Sequence, residues 1–278
     1  MKARIFCAVM LAAACAVELP AQWVNYKNPR TPRTRDGKAN LSAPAPRSSD
    51  GKPDLSGIWQ AEGAPYDELV KYVPGGVNGL GEDDPSLYFF NVLPKFKPGE
   101  EPMQPAAAAA FHKQMEAAAT AGPKNLCTPP STPMVDAYPV AFKIVQTRGL
   151  MLALYESDTF FRQIFMDGRP LPSDPQPSWL GSSIGKWEGD TLVVETVGLT
   201  DRSPLDVIGH PHSEAMRVTE RFQRRDFGHM EIQITIDDPK TYTRPITYTV
   251  NARLLPDTDL IESFCIENER DSNHIAAR

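Results

Sequence analysis

Patterns that define several common functional classes are missing from this chain of 278 residues. It has no Gly-rich phosphate-binding loop, no serine at a strand-to-helix nucleophile elbow and no Cys-x-x-Cys pair. Their absence argues against nucleotide-dependent enzymes, serine hydrolases of the α/β type and thioredoxin-like redox proteins. Basic clusters are also missing: the net charge is −6 and the positive residues are scattered, which argues against nucleic acid as a partner.

Long apolar runs are absent as well. An apolar run from Ile5 to Val17 follows a basic start, but it is too short to span a bilayer. Together with the small residues up to Ala21, it predicts a cleaved export signal over residues 1–21. We therefore expect a periplasmic or secreted protein without a transmembrane segment. The stretch that ends at Cys15 loosely resembles a lipoprotein cleavage site, so a lipid anchor on Cys15 is the alternative.

Cysteine is scarce: the chain has four, of which Cys7 and Cys15 fall within the predicted signal. The mature chain therefore keeps Cys127 and Cys265, an even pair in an oxidising compartment, and a disulfide between them is the simplest prediction. This bond would close a long loop between the middle of the chain and its last strand. The alternative, a nucleophilic Cys127, lacks any local sequence signature.

The mature chain divides into an arm and one large domain. Residues 22–56 are rich in Pro and Arg without hydrophobic periodicity, which predicts an extended arm. Within it, Asp36–Ser42 recurs as Asp50–Ser56, and each Asp-Gly-Lys predicts a turn that docks on a surface. Residues 57–278 are expected to form a single domain. It includes one helix over about residues 105–121, which starts with Pro and stops before Gly-Pro.

From Ala141 onward the hydrophobic period changes to two, which is typical of half-buried strands. Roughly eight to ten short strands follow at hairpin spacing, without the alternation of strands and helices that parallel sheets need. We therefore predict an all-β fold, an antiparallel barrel or sandwich with one covering helix. Its last two strands are expected over Tyr242–Leu254 and Asp259–Asn268.

Three motifs carry a resemblance to known proteins. The segments Asp50–Trp59, Trp187–Thr196 and His210–Glu214 resemble those of a large family of exported bacterial proteins of unassigned function. Gly57-Ile58-Trp59 and the Trp-Glu-Gly-Asp hairpin are also similar to lipocalin-like proteins. The second resemblance implies a small antiparallel barrel with an interior pocket for an apolar or amphipathic ligand. Neither resemblance brings catalytic residues that could be carried over.

A hairpin closed by Asp226-Phe227-Gly228 would pair Phe222 with Ile232 and define one inward face. This face contains one carboxylate among apolar side chains, which must be paired, bound to a metal or raised in its pKa. Continuing the alternation towards the N-terminus adds Glu214, His212 and His210 to the same face. The apolar members of the face are Met216, Val218, Phe222, Met230, Ile232, Ile234 and Ile236, and the carboxylate is Glu220.

The pair His210 and His212 suggests three roles. Two imidazoles at alternate strand positions can hold one divalent transition metal (zinc, copper, iron or manganese), with Glu214 or Glu220 as the oxygen ligand. Pro211 between them argues against a regular strand, so a metal-free acid–base role and purely structural polar contacts remain open. Asp206, four residues before His210, is a candidate to orient its imidazole.

Glu220 has two interpretations: a general acid or base, or a member of a buried salt bridge with Arg162 or Arg169. Arg162, Asp167 and Arg169 lie around an Asp-Gly-Arg turn and are candidates to anchor an anionic ligand group. A turn with solvated charges is the alternative. Trp179 is a candidate ligand contact, although packing in the core is its simpler role.

The first function hypothesis is an exported protein that binds a small apolar or amphipathic molecule in a β-barrel pocket. If it also transforms that ligand, lyase, isomerase or hydrolase chemistry is expected, with Glu220 as acid or base. His210 and His212 would then hold a metal or relay a proton, with Asp206 as their support. The alternatives are a non-catalytic envelope protein that contacts a partner through its arm, and a carbohydrate-active enzyme.

Overall fold

Nine strands close into one barrel in the computed structural model, which describes residues 27–71, 85–121 and 128–264. Each strand pairs with the next along the chain, and the last pairs with the first. The ladders are antiparallel except that between β4 and β5, which is parallel. The predicted all-β barrel is therefore confirmed. The strands are β1 Gly57–Ala61, β2 Phe142–Gln146, β3 Leu150–Tyr155, β4 Phe161–Phe165, β5 Ser182–Glu188, β6 Thr191–Val197, β7 Arg217–Arg224, β8 His229–Asp237 and β9 Ile246–Leu254.

Four helices lie outside the barrel wall in the described segments: α1 Tyr66–Leu69, α2 Leu87–Phe90, α3 Pro105–Ala121 and α4 Met134–Ala137. The predicted helix is confirmed as α3, which begins at a proline. Proline is tolerated there because an N–H group at the first position of a helix has no acceptor within the helix. The other three are single turns that the sequence pattern does not predict. Segments this short have too few residues to show a helical period.

The hairpin β7–β8 has the predicted register. Phe222 lies opposite Ile232, and the backbone N–H of Arg225 donates to His229 O at 2.9 Å. The inward side chains of this hairpin are buried, including Met216 just before β7 and Glu220 in its middle. The alternation of the sequence therefore places these residues on the face that it predicts.

The end of the chain differs from the prediction. The strand β9 begins at Ile246 rather than at Tyr242, because the N–H of Tyr242 is bonded to Asp238 O in a turn and Pro245 has no N–H to donate. Of the strand expected over Asp259–Asn268, the described part contains an isolated bridge at Ser263 and no regular strand. The remainder of that segment lies outside the described residues.

Other sequence predictions also fall outside the described residues. These are the signal over residues 1–21 with its alternative lipid site Cys15, and the disulfide between Cys127 and Cys265. Within the ranges that the structure describes, none of the helices has the length and apolar character needed to cross a membrane.

The described part of the arm consists of two turns of the same construction. The N–H of Gly37 donates to Thr34 O, and the N–H of Gly51 donates to Ser48 O, both at 2.9 Å. Gly37 and Gly51 have φ of 81° and 80°, a left-handed conformation that glycine adopts without strain. The repeat seen in the sequence is therefore a structural repeat.

Both turns are attached to the barrel by arginines. Arg33 binds both carboxylate oxygens of Asp257, and Arg47 does the same with Asp190. Leu55, at the end of the arm, is fully buried and its carbonyl accepts a bond from Trp59 Nε1 at 2.9 Å. The arm therefore packs on the barrel and contributes to its core, rather than extending freely from it.

Gly228→Ala tests how tightly the arm is held. Gly228 donates to Leu41 O at 2.7 Å, and a Cβ on Gly228 would lie 3.0 Å from Leu41 Cα. Because backbone must shift to relieve this contact, we expect the free energy of unfolding to fall by about 1–3 kcal/mol in urea titrations. Gly149→Ala is the matched control, since its Cβ would meet nothing within 4 Å. Equal small effects in both variants would contradict this account of the arm.

Candidate functional site

A group of polar side chains interrupts the apolar interior of the barrel. Each comes from an inward position of a different strand, and all are buried. The strand register places several of them side by side. Ser183 lies opposite Thr196, and Glu220 and Tyr248 lie opposite the same residue of β8, one on each side of that strand. The polar cluster consists of Tyr155 on β3, Arg162 on β4, Ser183 on β5, Thr196 on β6, Glu220 on β7 and Tyr248 on β9.

Arg162 and Glu220 form a salt bridge at the centre of this polar cluster. Arg162 Nη1 donates to Glu220 Oε1 at 2.9 Å, and Nη2 donates to Oε2. The remaining donors of the guanidinium are directed to Ser183 Oγ at 3.0 Å and Thr196 Oγ1 at 2.7 Å. The buried salt bridge predicted as one role of Glu220 is thus present, and its partner is Arg162 rather than Arg169.

Asp136 brings a second carboxyl group to the same guanidinium. It lies on α4, is 2% exposed, and its Oδ2 is 3.8 Å from Arg162 Nη1. Tyr155 donates its hydroxyl to Asp136 Oδ1 at 3.3 Å. Sequence analysis missed this residue, because a one-turn helix far along the chain carries no pattern that would place it over the barrel.

The pKa values of the two carboxyl groups are shifted in opposite directions. Burial and the charge of Glu220 raise the pKa of Asp136 well above its ordinary value. Burial acts against ionisation of Glu220 too, but the charge of Arg162 prevails and lowers the pKa of Glu220. As a carboxylate, Asp136 Oδ2 would be buried without a donor, whereas a proton lets it bind Glu220. The cluster therefore contains one guanidinium and two carboxyl groups, of which Asp136 keeps its proton to higher pH than Glu220.

Tyr248 is the member of the polar cluster that lies on β9. Its hydroxyl is buried and, within the described ranges, has no hydrogen-bond partner. Its ring stacks on Tyr88 of α2, with centroids 4.6 Å apart. Burial and the nearby carboxyls of Asp136 and Asp206 raise the pKa of Tyr248, so its hydroxyl stays protonated. Tyr248 therefore adds a neutral, buried hydroxyl group to the polar cluster.

The predicted histidine site lies in the loop before β7. Asp206 Oδ2 is 2.5 Å from His210 Nδ1, and the same carboxylate accepts the N–H groups of Val92 and Gly209. The His210 ring stacks on Phe111 of α3, with centroids 4.8 Å apart. Asp206 thus orients the imidazole as predicted, and α3 covers it.

The rest of the predicted metal site is not assembled. Glu214 is exposed rather than inward, because β7 begins only at Arg217 and a turn precedes it, so strand alternation does not extend that far. His212 is buried, its Nδ1 is 3.2 Å from Ser213 O, and burial lowers its pKa. In the segments that the structure describes, no three His, Cys, Asp or Glu side chains are placed to hold a metal ion together.

A cavity opens where β4 meets β5. The parallel ladder between them contains two residue pairs, Ile164 with Ser183 and Phe165 with Ile184, and we call it the seam. The crossover between the two strands carries four prolines and forms one wall. The volume of this seam cavity is about 620 Å³. Its lining includes Phe160, Phe161, Phe165, Leu171, Trp179 and Leu180, with Arg162, Gln163, Arg169, Ser178, Ser182 and Ser183 as polar members.

The seam cavity brings together most of the predicted ligand contacts. Arg162, Arg169 and Trp179 all line it, and Asp167 binds Arg169 Nη2 at 2.6 Å. Ser183 was missed by sequence analysis, although its flanking glycines match Gly-x-Ser-x-Gly. It lies within β5 rather than at a turn into a helix, so that motif does not make it a nucleophile here. Ser183 and Arg162 belong to strands that form a wall of the seam cavity, but their side chains are buried on the inward face with the polar cluster.

Comparisons with known proteins do not assign this chain to a family. Searches with protein-family models and against curated protein sequences found no match to this chain. The resemblance to a family of exported bacterial proteins therefore stays a prediction from three motifs. The structure itself defines a closed β-barrel with a cavity at its parallel seam and a charged cluster in its interior.

Proposed function

We propose that this protein binds a small amphipathic molecule in the seam cavity, and that it does so in the periplasm or outside the cell. The observation that carries this proposal is the lining of the cavity. A volume of about 620 Å³ suits one small ligand, and aromatic and aliphatic side chains converge there with a few hydroxyl and guanidinium groups.

Exposed apolar surface supports the same function. Phe161 is 62% exposed at the mouth of the seam cavity, and Trp179 is half-buried in its wall. Covering such rings with an apolar ligand body contributes about 25 cal/mol per Å² removed from water. The serine hydroxyls and Arg169 are placed to bind the polar end of the ligand.

Transformation of the ligand is a second candidate function, favoured by the polar cluster. A neutral carboxylic acid, Asp136, lies beside an ionised one, Glu220, and such pairs separate the acid from the base in enzymes that move protons. The strands of Arg162 and Ser183, β4 and β5, also contribute to the wall of the seam cavity. The class of reaction that fits is proton transfer, as in isomerases and lyases.

Binding is tested with N-phenylnaphthylamine, an uncharged apolar dye that becomes fluorescent in apolar sites. We expect saturable fluorescence and energy transfer to the dye from Trp179, which lines the seam cavity. Trp179→Phe should remove most of that transfer while the dye still saturates, because phenylalanine keeps the wall apolar. Trp187→Phe is the matched control, since Trp187 packs against the core and does not line the cavity. Fluorescence that does not saturate would refute the proposed function.

A further inference from the structure

The charged residues that line the seam cavity are of one sign, and each is paired with a carboxylate outside the lining, Arg162 with Glu220 and Arg169 with Asp167. Two of its lining residues are arginines, and the lining that the structure describes contains no aspartate or glutamate. Two serines of the lining, at 178 and 182, add hydroxyl groups that can donate hydrogen bonds, whereas the Ser183 hydroxyl is engaged in the buried cluster. A cavity with apolar walls, cationic groups and hydroxyl donors is complementary to an amphipathic anion rather than to a cation.

The two arginines differ in what they can offer a ligand. Arg162 is 2% exposed, and its donors are directed to Glu220, Ser183 and Thr196. Because its charge is balanced by Glu220 at the centre of the barrel, binding a second anion would require breaking the buried pair. Arg162 is therefore committed to the buried cluster and does not hold a head group.

Arg169 is placed differently. Its Cζ lies 3.8 Å from the centre of the Phe165 ring, which holds the guanidinium flat against the cavity wall. Nε and Nη2 bind Asp167, at 2.9 and 2.6 Å, and this bonding leaves Nη1 available. Both members of the pair are about half exposed, and exposed pairs of this kind contribute little free energy. An arriving anion can therefore share Arg169 with Asp167 or displace it.

We propose that the seam cavity selects organic anions, with Arg169 as the residue that binds the head group. This inference rests on the proposed function and deepens it by naming the class of ligand: a small apolar body that carries a carboxylate, sulfonate or phosphate group. The planar fork of a guanidinium donates two parallel hydrogen bonds to such groups, which a neutral polar side chain cannot do with the same strength.

Two dyes with the same ring system test this selectivity. Anilinonaphthalene sulfonate differs from N-phenylnaphthylamine essentially by its sulfonate, so the comparison isolates the charge. We expect Arg169→Gln to weaken binding of the sulfonate dye about tenfold and to leave the neutral dye within about twofold. Added salt should weaken the sulfonate dye alone. Arg221→Gln is the matched control, because Arg221 is an exposed, paired arginine outside the cavity, and we expect it to change neither dye.

Each outcome distinguishes this inference from the proposed function. Equal weakening of both dyes by Arg169→Gln would mean that the side chain only supports Phe165, which overturns anion selectivity but keeps the ligand site. An unchanged affinity for the sulfonate dye would also overturn it. Failure of both dyes to saturate the wild-type protein would refute the proposed function and the inference with it. Arg169→Lys should restore part of the sulfonate affinity, since it restores the charge without the fork.

Discussion

Arg162→Met is expected to lower the free energy of unfolding by about 3–5 kcal/mol at neutral pH, because it breaks a fully buried ion pair from one side. Glu220 is completely buried, and both of its oxygens accept bonds from Arg162. Methionine approximates the length of the side chain but leaves this carboxylate without a cation. Ser183 and Thr196 also lose a donor each.

The effect of Arg162→Met should depend on pH in a defined direction. Without the cation, burial raises the pKa of Glu220 in the folded state, so that the folded variant takes up a proton that the unfolded chain has released. The loss of stability is therefore largest above neutral pH and shrinks as the pH falls towards about 5. Urea unfolding at both ends of this range measures it, with Arg221→Met as the control for an exposed pair with Glu188. A loss below about 1 kcal/mol, or one independent of pH, would contradict the buried pair.

Much of the fold follows from local pattern. Alternation of apolar residues with period two predicts the strands, and the three-residue loop at Asp226–Gly228 fixes the register of β7 against β8. The same reasoning identifies Glu220 as a carboxylate that needs a partner, because its neighbours on the inward face are apolar. Strand alternation fails where it was extended past a strand: Glu214 lies in a turn and is exposed, and the segment from Asp259 contains no regular strand in its described part.

The candidate site depends on contacts that local pattern does not contain. Period two is the same for parallel and antiparallel strands, so the sequence gives no sign that β4 and β5 run in the same direction and leave a cavity between them. Asp136 reaches the polar cluster from α4, a one-turn helix in the connection before β2. Neither the parallel pairing of β4 with β5 nor the position of Asp136 leaves a hydrophobic period or a residue spacing in the sequence. Both arise from tertiary packing alone.

Asp136→Asn is expected to remove a destabilisation that grows with pH. Burial and the charge of Glu220 raise the pKa of Asp136 well above its ordinary value. Above about pH 4 the unfolded chain has released this proton while the folded protein keeps it, so wild-type stability falls as the pH rises. For one proton the slope is at most about 1.4 kcal/mol per pH unit, and it ends where the folded carboxyl itself ionises.

Asparagine suits this position because its amide can donate to Glu220 as the neutral acid does, and it never ionises. The groups that face Asp136 are Arg162, Glu220 and the hydroxyls of Tyr155 and Tyr248; burial raises the pKa of both tyrosines, so they keep their protons across the range. We therefore expect the free energy of unfolding of Asp136→Asn, measured in urea, to exceed that of the wild type by an amount that grows from about pH 5 to about pH 8. The exposed residue Asp174 supplies the control, and Asp174→Asn should track the wild type throughout. A difference between Asp136→Asn and the wild type that stays constant with pH would show that the polar cluster does not hold a proton at Asp136, and with it the acid proposed for ligand chemistry would be lost.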